Sequence, residues 1–400
     1  MQGSSLRLIA GRTISQLGDG IYEIALLWVV THLLKAPWSV AAVVAVGNLV
    51  STAVVPLGGH VADRRMGQRK AIAVLADLGL MLLFALAAIL WPALHGSAAY
   101  LALLAVTALT SVFVSFLFPS IGALFAALLT DGGRQSANSL YQTATSAANL
   151  GGLLLGGVLV ALLPFQAILW LDAASFGLGW LLTLSVAAPV PVGAGEGVDS
   201  GRGGWRSVLR SPEVRALVGA NVALNGALII VMSLLPYFVV HSLRQGAAVL
   251  GVTQAALSAG VIVGSAGSRF VRGTPSRQFG FGFGALALAV LAVAALPAIV
   301  VTDAGLFVAA IAASVLSVTL MTRSQEVVAP EQYGKFLAAS SVVTTVAQPS
   351  LAALGGAVAT FVGVRWVFAG GAALTAALGG AAARGLGSRA SSGPAAAPPG

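Results

Sequence analysis

Four polar residues in the first apolar stretch have a spacing that could carry proton chemistry. Arg12, Gln16, Asp19 and Glu23 are separated by four, three and four residues, so on an α-helix they form one stripe. Two neighbouring carboxylates in a medium of low dielectric disfavour each other's charge, and we expect at least one of them to bind and release a proton in the working pH range. Arg12 could instead neutralise Asp19, but seven residues separate the two by roughly 10 Å along a helix axis, and Glu23 would stay unpaired.

The stripe must be positioned away from lipid, because a charge that faces lipid costs several kcal/mol. We therefore expect it to face an internal cavity. Glu23 is the better candidate for proton coupling or cation recognition. Asp19 lies between Gly18 and Gly20 and could instead pack against a neighbouring helix.

The composition indicates an all-α membrane protein. Hydrophobic residues make up 58% of the chain and charged residues 8%, whereas a soluble domain carries about 25% charged residues. Each membrane span needs roughly 20 apolar residues, so 400 residues accommodate twelve spans with short loops. The charges at Arg12, Asp19 and Glu23, with no clean cleavage site after them, favour a first transmembrane helix over a signal peptide.

Apolar runs and the polar or Gly/Pro breaks between them predict twelve helices. They cover residues 7–34, 38–58, 70–91, 98–124, 138–163, 166–188, 214–240, 247–268, 279–300, 304–324, 336–360 and 364–385. The one long polar break, 189–213, predicts a cytoplasmic linker between six-helix bundles at 1–188 and 214–387. The tail 388–400 is rich in Ala, Pro, Ser and Gly, which predicts disorder.

The basic residues predict the orientation. With a cytoplasmic N-terminus, 17 of the 21 fall on the inner side, as the positive-inside rule requires. Only Lys35, Arg244 and Arg365 fall outside, and Arg12 lies within the first helix. Both termini are thus predicted to be cytoplasmic, with the +9 net charge facing anionic lipid headgroups rather than nucleic acid. The preference for Arg over Lys, with abundant Ala and Gly, favours a bacterial inner (plasma) membrane.

A basic segment after the second predicted helix carries a family signature. Residues 59–70 read GHVADRRMGQRK, which resembles the major facilitator superfamily signature Gly-x-x-x-Asp-Arg-x-Gly-x-Arg-Lys, with one extra residue between Arg64 and Gly67. Three shorter segments are similar to the macrolide-efflux and siderophore-exporter branch of that superfamily: residues 15–26 (SQLGDGIYEIAL), 118–120 (FPS) and 137–139 (ANS).

The resemblance implies a secondary transporter that works by alternating access, with a cavity lined mainly by helices 1, 4, 7 and 10. It implies export of a small organic molecule, drug-like or a secondary metabolite, by proton antiport. It also implies a conformational latch in the signature segment, formed by Gly59, Asp63, Arg64, Gly67, Arg69 and Lys70. The expected partners are the substrate, protons and membrane lipids, and the expected state is a monomer.

Other polar and aromatic residues in the spans have two possible roles each. Trp28, Phe113, Phe116 and Tyr237 could form an aromatic surface for a lipophilic substrate, or could pack and face lipid. Asn221 and Asn225, on one face of the seventh helix, could line the cavity or join helices by hydrogen bonds.

Two further acids lie in the predicted spans. We expect Asp77 to bond back to the signature segment. We expect Asp172 to lie near the outer end of the sixth helix, at the membrane interface.

Other function classes have less support in the sequence. An importer or a uniporter would share this fold, and a non-transporting sensor or scaffold is a more remote alternative. The chain has no cysteine, no Walker motif and no metal-ligand spacing among its four histidines. We therefore expect neither a cofactor nor enzymatic activity.

Overall fold

A computed structural model of the protein describes residues 3–64, 68–128, 134–186, 212–268, 271, 274–328 and 330–387. Within these ranges the chain forms twelve α-helices. They are α1 Gly3–Leu34, α2 Pro37–Arg64, α3 Arg69–Leu90, α4 Gly96–Ala127, α5 Arg134–Leu162, α6 Phe165–Leu184, α7 Pro212–Tyr237, α8 Ala247–Gly267, α9 Pro275–Ala295, α10 Ile299–Val327, α11 Pro330–Val362 and α12 Val364–Gly387. The prediction of an all-α protein with twelve helices is confirmed.

Eleven of these helices are long and apolar enough to cross a membrane, judged over the described residues, and α11 contributes a shorter apolar segment, Val346–Val362. The largest boundary differences are at α11, which begins at Pro330 instead of near residue 336, and at α2, which extends to Arg64 instead of ending near residue 58. The signature segment therefore begins as helix. Its Ala and Arg residues favour that conformation, and only a short connection separates α2 from α3.

The chain divides into two compact units. In the described residues, unit 1 contains α1–α6 together with the stretch Pro236–Ala255, and unit 2 contains α7 up to Leu235 and the chain from Ala256 onward. The division falls at Pro236, which lies inside α7 and is followed by a π-helical turn at Phe238–Ser242. Proline removes a backbone donor, which accounts for a break in regular α-helix at this point. The two six-helix bundles drawn from the sequence remain a prediction.

Helix α1 lies at the centre of unit 1, where it packs mainly against α5 and α6 and also against α4 and α2. Small residues make the α1–α5 contact close. A Cβ built on Gly20 would lie 3.0 Å from the Cα of Gly152, and one built on Gly156 would lie 3.0 Å from the Cα of Ile21. Such close approach of two backbones is how helices gain packing energy where lipid supplies no hydrophobic driving force.

Unit 2 is held by similar close contacts. Helix α9 packs against α10 and α12. Gly260 and Gly264 of α8 lie against the backbone of α10, since a Cβ on either would lie 2.5 or 2.6 Å from the carbonyl oxygen of Phe307 or Ile311. Both units therefore contain close helix contacts made at glycine.

Large apolar side chains cover the outside of both units. Leu75, Leu162 and Phe361 are 65%, 72% and 88% exposed. Soluble monomers rarely present contiguous apolar surface of this kind, whereas lipid is as apolar as leucine. Together with the helix lengths, this surface identifies a polytopic membrane protein.

The α1–α5 contact generates a stability prediction. We expect Gly152→Ala to lower the melting temperature of the purified protein, because the added Cβ would lie 2.5 Å from the carbonyl oxygen of Leu17 and overpacking typically costs about 1–3 kcal/mol. Gly151→Ala is the matched control, since its Cβ would only reach the Leu17 Cδ1 at 3.6 Å. Thermal unfolding in detergent, followed by tryptophan fluorescence, measures both. Equal melting temperatures would contradict the close contact.

Candidate functional site

A buried ion pair holds the N-terminal half of α1. The Arg12 guanidinium donates from Nη1 to the Asp77 Oδ1 of α3 at 3.4 Å, and the two side chains are 3% and 0% exposed. The Thr183 hydroxyl of α6 donates to the other oxygen, Oδ2, at 3.2 Å. The Arg12 Cζ also lies 5.3 Å from the centre of the Phe118 ring of α4, within cation–π range. Arg12 thus contacts α3 and α4 directly, and Asp77 connects it to Thr183 of α6.

This arrangement decides between the two roles open to Arg12. Its ion-pair partner in the described residues is Asp77 of α3, and Asp19 interacts with both only at electrostatic range. Asp77 bonds to Arg12 and Thr183, and the expected bond from Asp77 to the signature segment stays a prediction, because most side chains of that segment lie outside the described residues. The positive charge of Arg12 is therefore paired with Asp77, and Arg12 forms no ion pair with Asp19 or Glu23.

The two acids of α1 lie on the stripe that their spacing predicts, because α1 is continuous from Gly3 to Leu34. Asp19 and Glu23 are half-buried, as is Gln16. Within the described part of the chain, neither acid forms an ion pair, and Glu23 lies within electrostatic range of Asp19. The stripe therefore carries two carboxyl groups without a cation of their own.

A third acid faces α1 from α6. Asp172 is 1% exposed, and its Oδ1 accepts a hydrogen bond from the Ser175 hydroxyl at 3.3 Å. It lies against Gly18, since a Cβ built there would be 2.7 Å from Asp172 Oδ1, and it is within electrostatic range of Asp19. Asp172 is thus buried against α1, whereas the sequence suggested only an interfacial position.

These residues form a cluster with an excess of acid, in which Asp19 lies within electrostatic range of all the others. We call it the acidic cluster: Asp19, Glu23, Asp77 and Asp172, with Arg12 as the ion-pair partner of Asp77. One guanidinium cannot neutralise four carboxylates. An isolated ionised carboxylate inside a protein is very costly. An excess of carboxyl groups in such surroundings favours the binding of protons or of a cation.

The signature residues are only partly within the described structure. Gly59, Asp63 and Arg64 belong to the last turns of α2, but the placement of their side chains lies outside the described part, as does Gly67 entirely. Arg69 and Lys70 open α3 and are half-buried. The latch role of this segment remains a prediction.

The aromatic candidates do not form one surface in the described contacts. The Phe113 ring of α4 packs directly against Gly79 of α3, and Phe116 is half-buried. Trp28 stacks near His32 with ring centres 4.2 Å apart.

Tyr237 makes a separate set of contacts within unit 1. Its ring stacks on His241 at 4.1 Å, and its hydroxyl donates to the Lys35 carbonyl at 3.4 Å. Phe113 is therefore a packing residue, while Trp28 and Tyr237 lie near the ends of their helices.

The amide candidates join two helices of unit 2. Asn221 of α7 donates to the Ser340 hydroxyl of α11 at 2.7 Å, and the Asn225 amide donates to Asn221 Oδ1 at 2.8 Å. Gln348 of α11 donates to Asn225 Oδ1 at 3.0 Å. The contacts support the interhelical role that the sequence left open beside cavity lining.

Ionisable side chains held inside a polytopic helical bundle are a feature of secondary membrane transporters. Residues 8–348 match the family model of the Major Facilitator Superfamily. The chain belongs to that superfamily and is a transporter of small solutes, not an enzyme. No curated protein matches it.

Solved structures share this fold at low sequence identity. A bacterial homologue of the iron transporter ferroportin, in an inward-facing state, is 15% identical with a TM-score of 0.74, covering 95% of this chain and 98% of its own. A bacterial homologue of the human lysosomal transporter Spinster is 14% identical with a TM-score of 0.70, covering 96% and 97%. The nucleoside transporter NupG is 14% identical with a TM-score of 0.72, covering 96% and 100%. At these identities the likeness establishes the fold alone.

The buried ion pair gives a second stability prediction. We expect Arg12→Met to lower the free energy of unfolding by about 3–5 kcal/mol, because it leaves a buried carboxylate without its cation. Adding Asp77→Asn in the same chain removes that carboxylate and should restore much of the loss. Unfolding titrations of both single variants and the double variant form a double-mutant cycle. Losses that simply add would show that the two side chains are not coupled.

Proposed function

We propose that this protein is a proton-driven exporter of a small organic molecule in the bacterial plasma membrane, working by alternating access. The observation that carries the proposal is the acidic cluster of unit 1, in which the cation of Arg12 is already paired with Asp77. Asp19 and Glu23 then have no cation of their own among the described residues. Protons are the simplest way to neutralise them inside a membrane.

The burial of the two acids suits a cycle of loading and release. Both are half-buried rather than fully enclosed, as a group that must gain and lose a proton requires. Binding a proton removes the charge and favours a closed, dry environment, and losing it favours an open, hydrated one. The charge state of Asp19 and Glu23 can therefore bias a conformational equilibrium, as coupling requires.

The proposed direction and substrate rest on different observations. Export is supported by the similarity of residues 15–26 and 118–120 to efflux members of the superfamily. The excess of carboxylates in unit 1 disfavours a strongly anionic substrate.

The same fold serves transporters described for iron and for nucleosides, so the fold does not set direction. An importer or a uniporter is the alternative within this class. A non-transporting sensor or scaffold is the remote one.

The coupling role of the acids is tested by efflux from cells. Glu23→Gln and Asp19→Asn each remove one protonatable group while keeping its size. We expect either variant to lose the protonophore-sensitive efflux of ethidium or a macrolide at normal expression. Glu326→Gln is the matched control, because Glu326 is an exposed acid paired with Arg323 far along the chain from the cluster.

Three results would count against parts of the proposal. Undiminished, protonophore-sensitive efflux in both cluster variants would remove the assigned mechanism. Efflux of the wild type that ignores the protonophore would favour a uniporter, and accumulation of the probe would favour import.

The proposed orientation can be tested directly because the chain has no cysteine. We expect a single cysteine at His95, between α3 and α4, to react with a membrane-impermeant maleimide in intact cells. One at Glu326, near the end of α10, should react only after permeabilisation, since the positive-inside rule places it in the cytoplasm. The reverse labelling pattern would show that the orientation in the membrane is opposite to the proposed one.

A further inference from the structure

Asp172 has a buried oxygen with no partner. Its Oδ1 accepts from Ser175, but its Oδ2 has no hydrogen-bond partner among the described residues, and the side chain is 1% exposed. Buried polar atoms are nearly always satisfied, so an exception needs an explanation. A carboxylate left in this state would bear a full charge with one neutral donor. A carboxylic acid would bear none and would have a proton to give.

The groups that face Asp172 offer no cation of its own. The elements packed against α6 are α1 and α3, with a lesser contact from α5. The titratable and charged residues that they bring to this region, within the described ranges, are Arg12, Asp19, Tyr22 and Glu23 from α1 and Asp77 from α3. Arg12 is paired with Asp77. A second basic residue of α1, Arg7, bonds instead to the Ser185 carbonyl at the far end of α6.

The route from Asp172 toward α1 is short because a glycine faces it. The Asp172 Oδ1 and the Ser175 side chain both lie where a side chain at residue 18 would be, and Asp19 is the next residue. Ser15 adds a link across the same contact, since its hydroxyl donates to the Ser175 carbonyl at 3.4 Å. The carboxyl of Asp172 therefore lies beside the backbone that carries Asp19.

A buried phenol lies in the same region. Tyr22 is 7% exposed, its hydroxyl has no partner among the described residues, and it is within electrostatic range of Asp172. Its ring is fixed edge-on against Phe84 with centres 4.7 Å apart. The contact between α1 and α6 thus encloses two unsatisfied polar groups, both of which can take part in a hydrogen-bonded proton path.

We propose that Asp172 is a second proton-binding group, which exchanges its proton with Asp19 across the contact between α1 and α6. When Asp19 is ionised, the Asp172 acid gives it a proton and becomes the carboxylate. Asp19 then releases that proton to water. A proton that later reaches Asp19 through Glu23 passes on to Asp172, which becomes the acid again. No bond other than O–H changes, and the cluster carries one proton more than the α1 stripe alone.

Infrared difference spectroscopy of the purified wild-type protein tests this without any substrate. We expect a carbonyl band of a protonated carboxylic acid that is lost in Asp172→Asn. The same band should shift in Ser175→Ala, because that variant removes the hydrogen bond to Oδ1. On transfer to deuterated buffer the band should move as O–H becomes O–D, and Asp19→Asn should slow or abolish that movement.

The outcomes separate the parts of the proposal. A band unchanged in Asp172→Asn would show that Asp172 is ionised and would overturn it, as would a sodium-dependent gain in stability that disappears in that variant. Exchange as fast in Asp19→Asn as in the wild type would overturn the exchange with Asp19. If Asp172→Asn does not fold, the Ser175→Ala shift in the otherwise native protein still decides the protonation.

The consequence for transport rests on the proposed function. With a transported probe such as ethidium, Asp172→Asn should reduce by one the number of protons exchanged per molecule in proteoliposomes. Loss of coupling in Glu23→Gln together with an unchanged proton number in Asp172→Asn would overturn the transport role of Asp172 and leave the proposed exporter intact. If the infrared bands behave as expected but no proton-driven flux is found, the protonation of Asp172 stands and the proposed exporter is overturned.

Discussion

The cost of holding charge where water is scarce constrains the whole of unit 1. Arg12 is 3% exposed in the middle of a helix bundle, and it is tolerated there because Asp77 supplies the opposite charge and Phe118 an aromatic face. Those partners come from α3 and α4, and the Thr183 hydroxyl of α6 donates a hydrogen bond to the second carboxylate oxygen of Asp77. The ion pair with its cation–π contact and the Thr183 hydrogen bond therefore links four helices, and it engages the one guanidinium in the cluster.

Glycine contacts explain how the remaining acids come close to one another. Gly18 has no side chain, so the Asp172 carboxyl and Ser175 of α6 occupy the space beside α1 that a side chain would fill. On another side, Gly20 meets Gly152 of α5 backbone to backbone. Small residues thus serve packing and chemistry together, because the same close approach that stabilises the bundle also shortens the distance between ionisable groups.

The two units bury different kinds of polar side chains. Unit 1 concentrates carboxyl groups around one cation, which makes its electrostatic state sensitive to protons. Unit 2 instead links α7 and α11 with neutral amides and hydroxyls, Asn221, Asn225, Ser340 and Gln348, whose bonds do not depend on pH.

The sequence by itself determined the membrane class, the twelve helices and the stripe on α1, because apolar length and helical period are local properties of the chain. It also pointed to the superfamily through the segment 59–70. It did not show that α2 continues to Arg64, since the polar residues there resemble a loop while their helix propensity and the short connection to α3 favour helix.

Only the tertiary structure decided that Arg12 pairs with Asp77, 65 residues away, and that Asp172 is buried against Gly18. These depend on which faces of α1, α3 and α6 meet, and such pairings between helices distant in sequence leave no periodic signal in the chain.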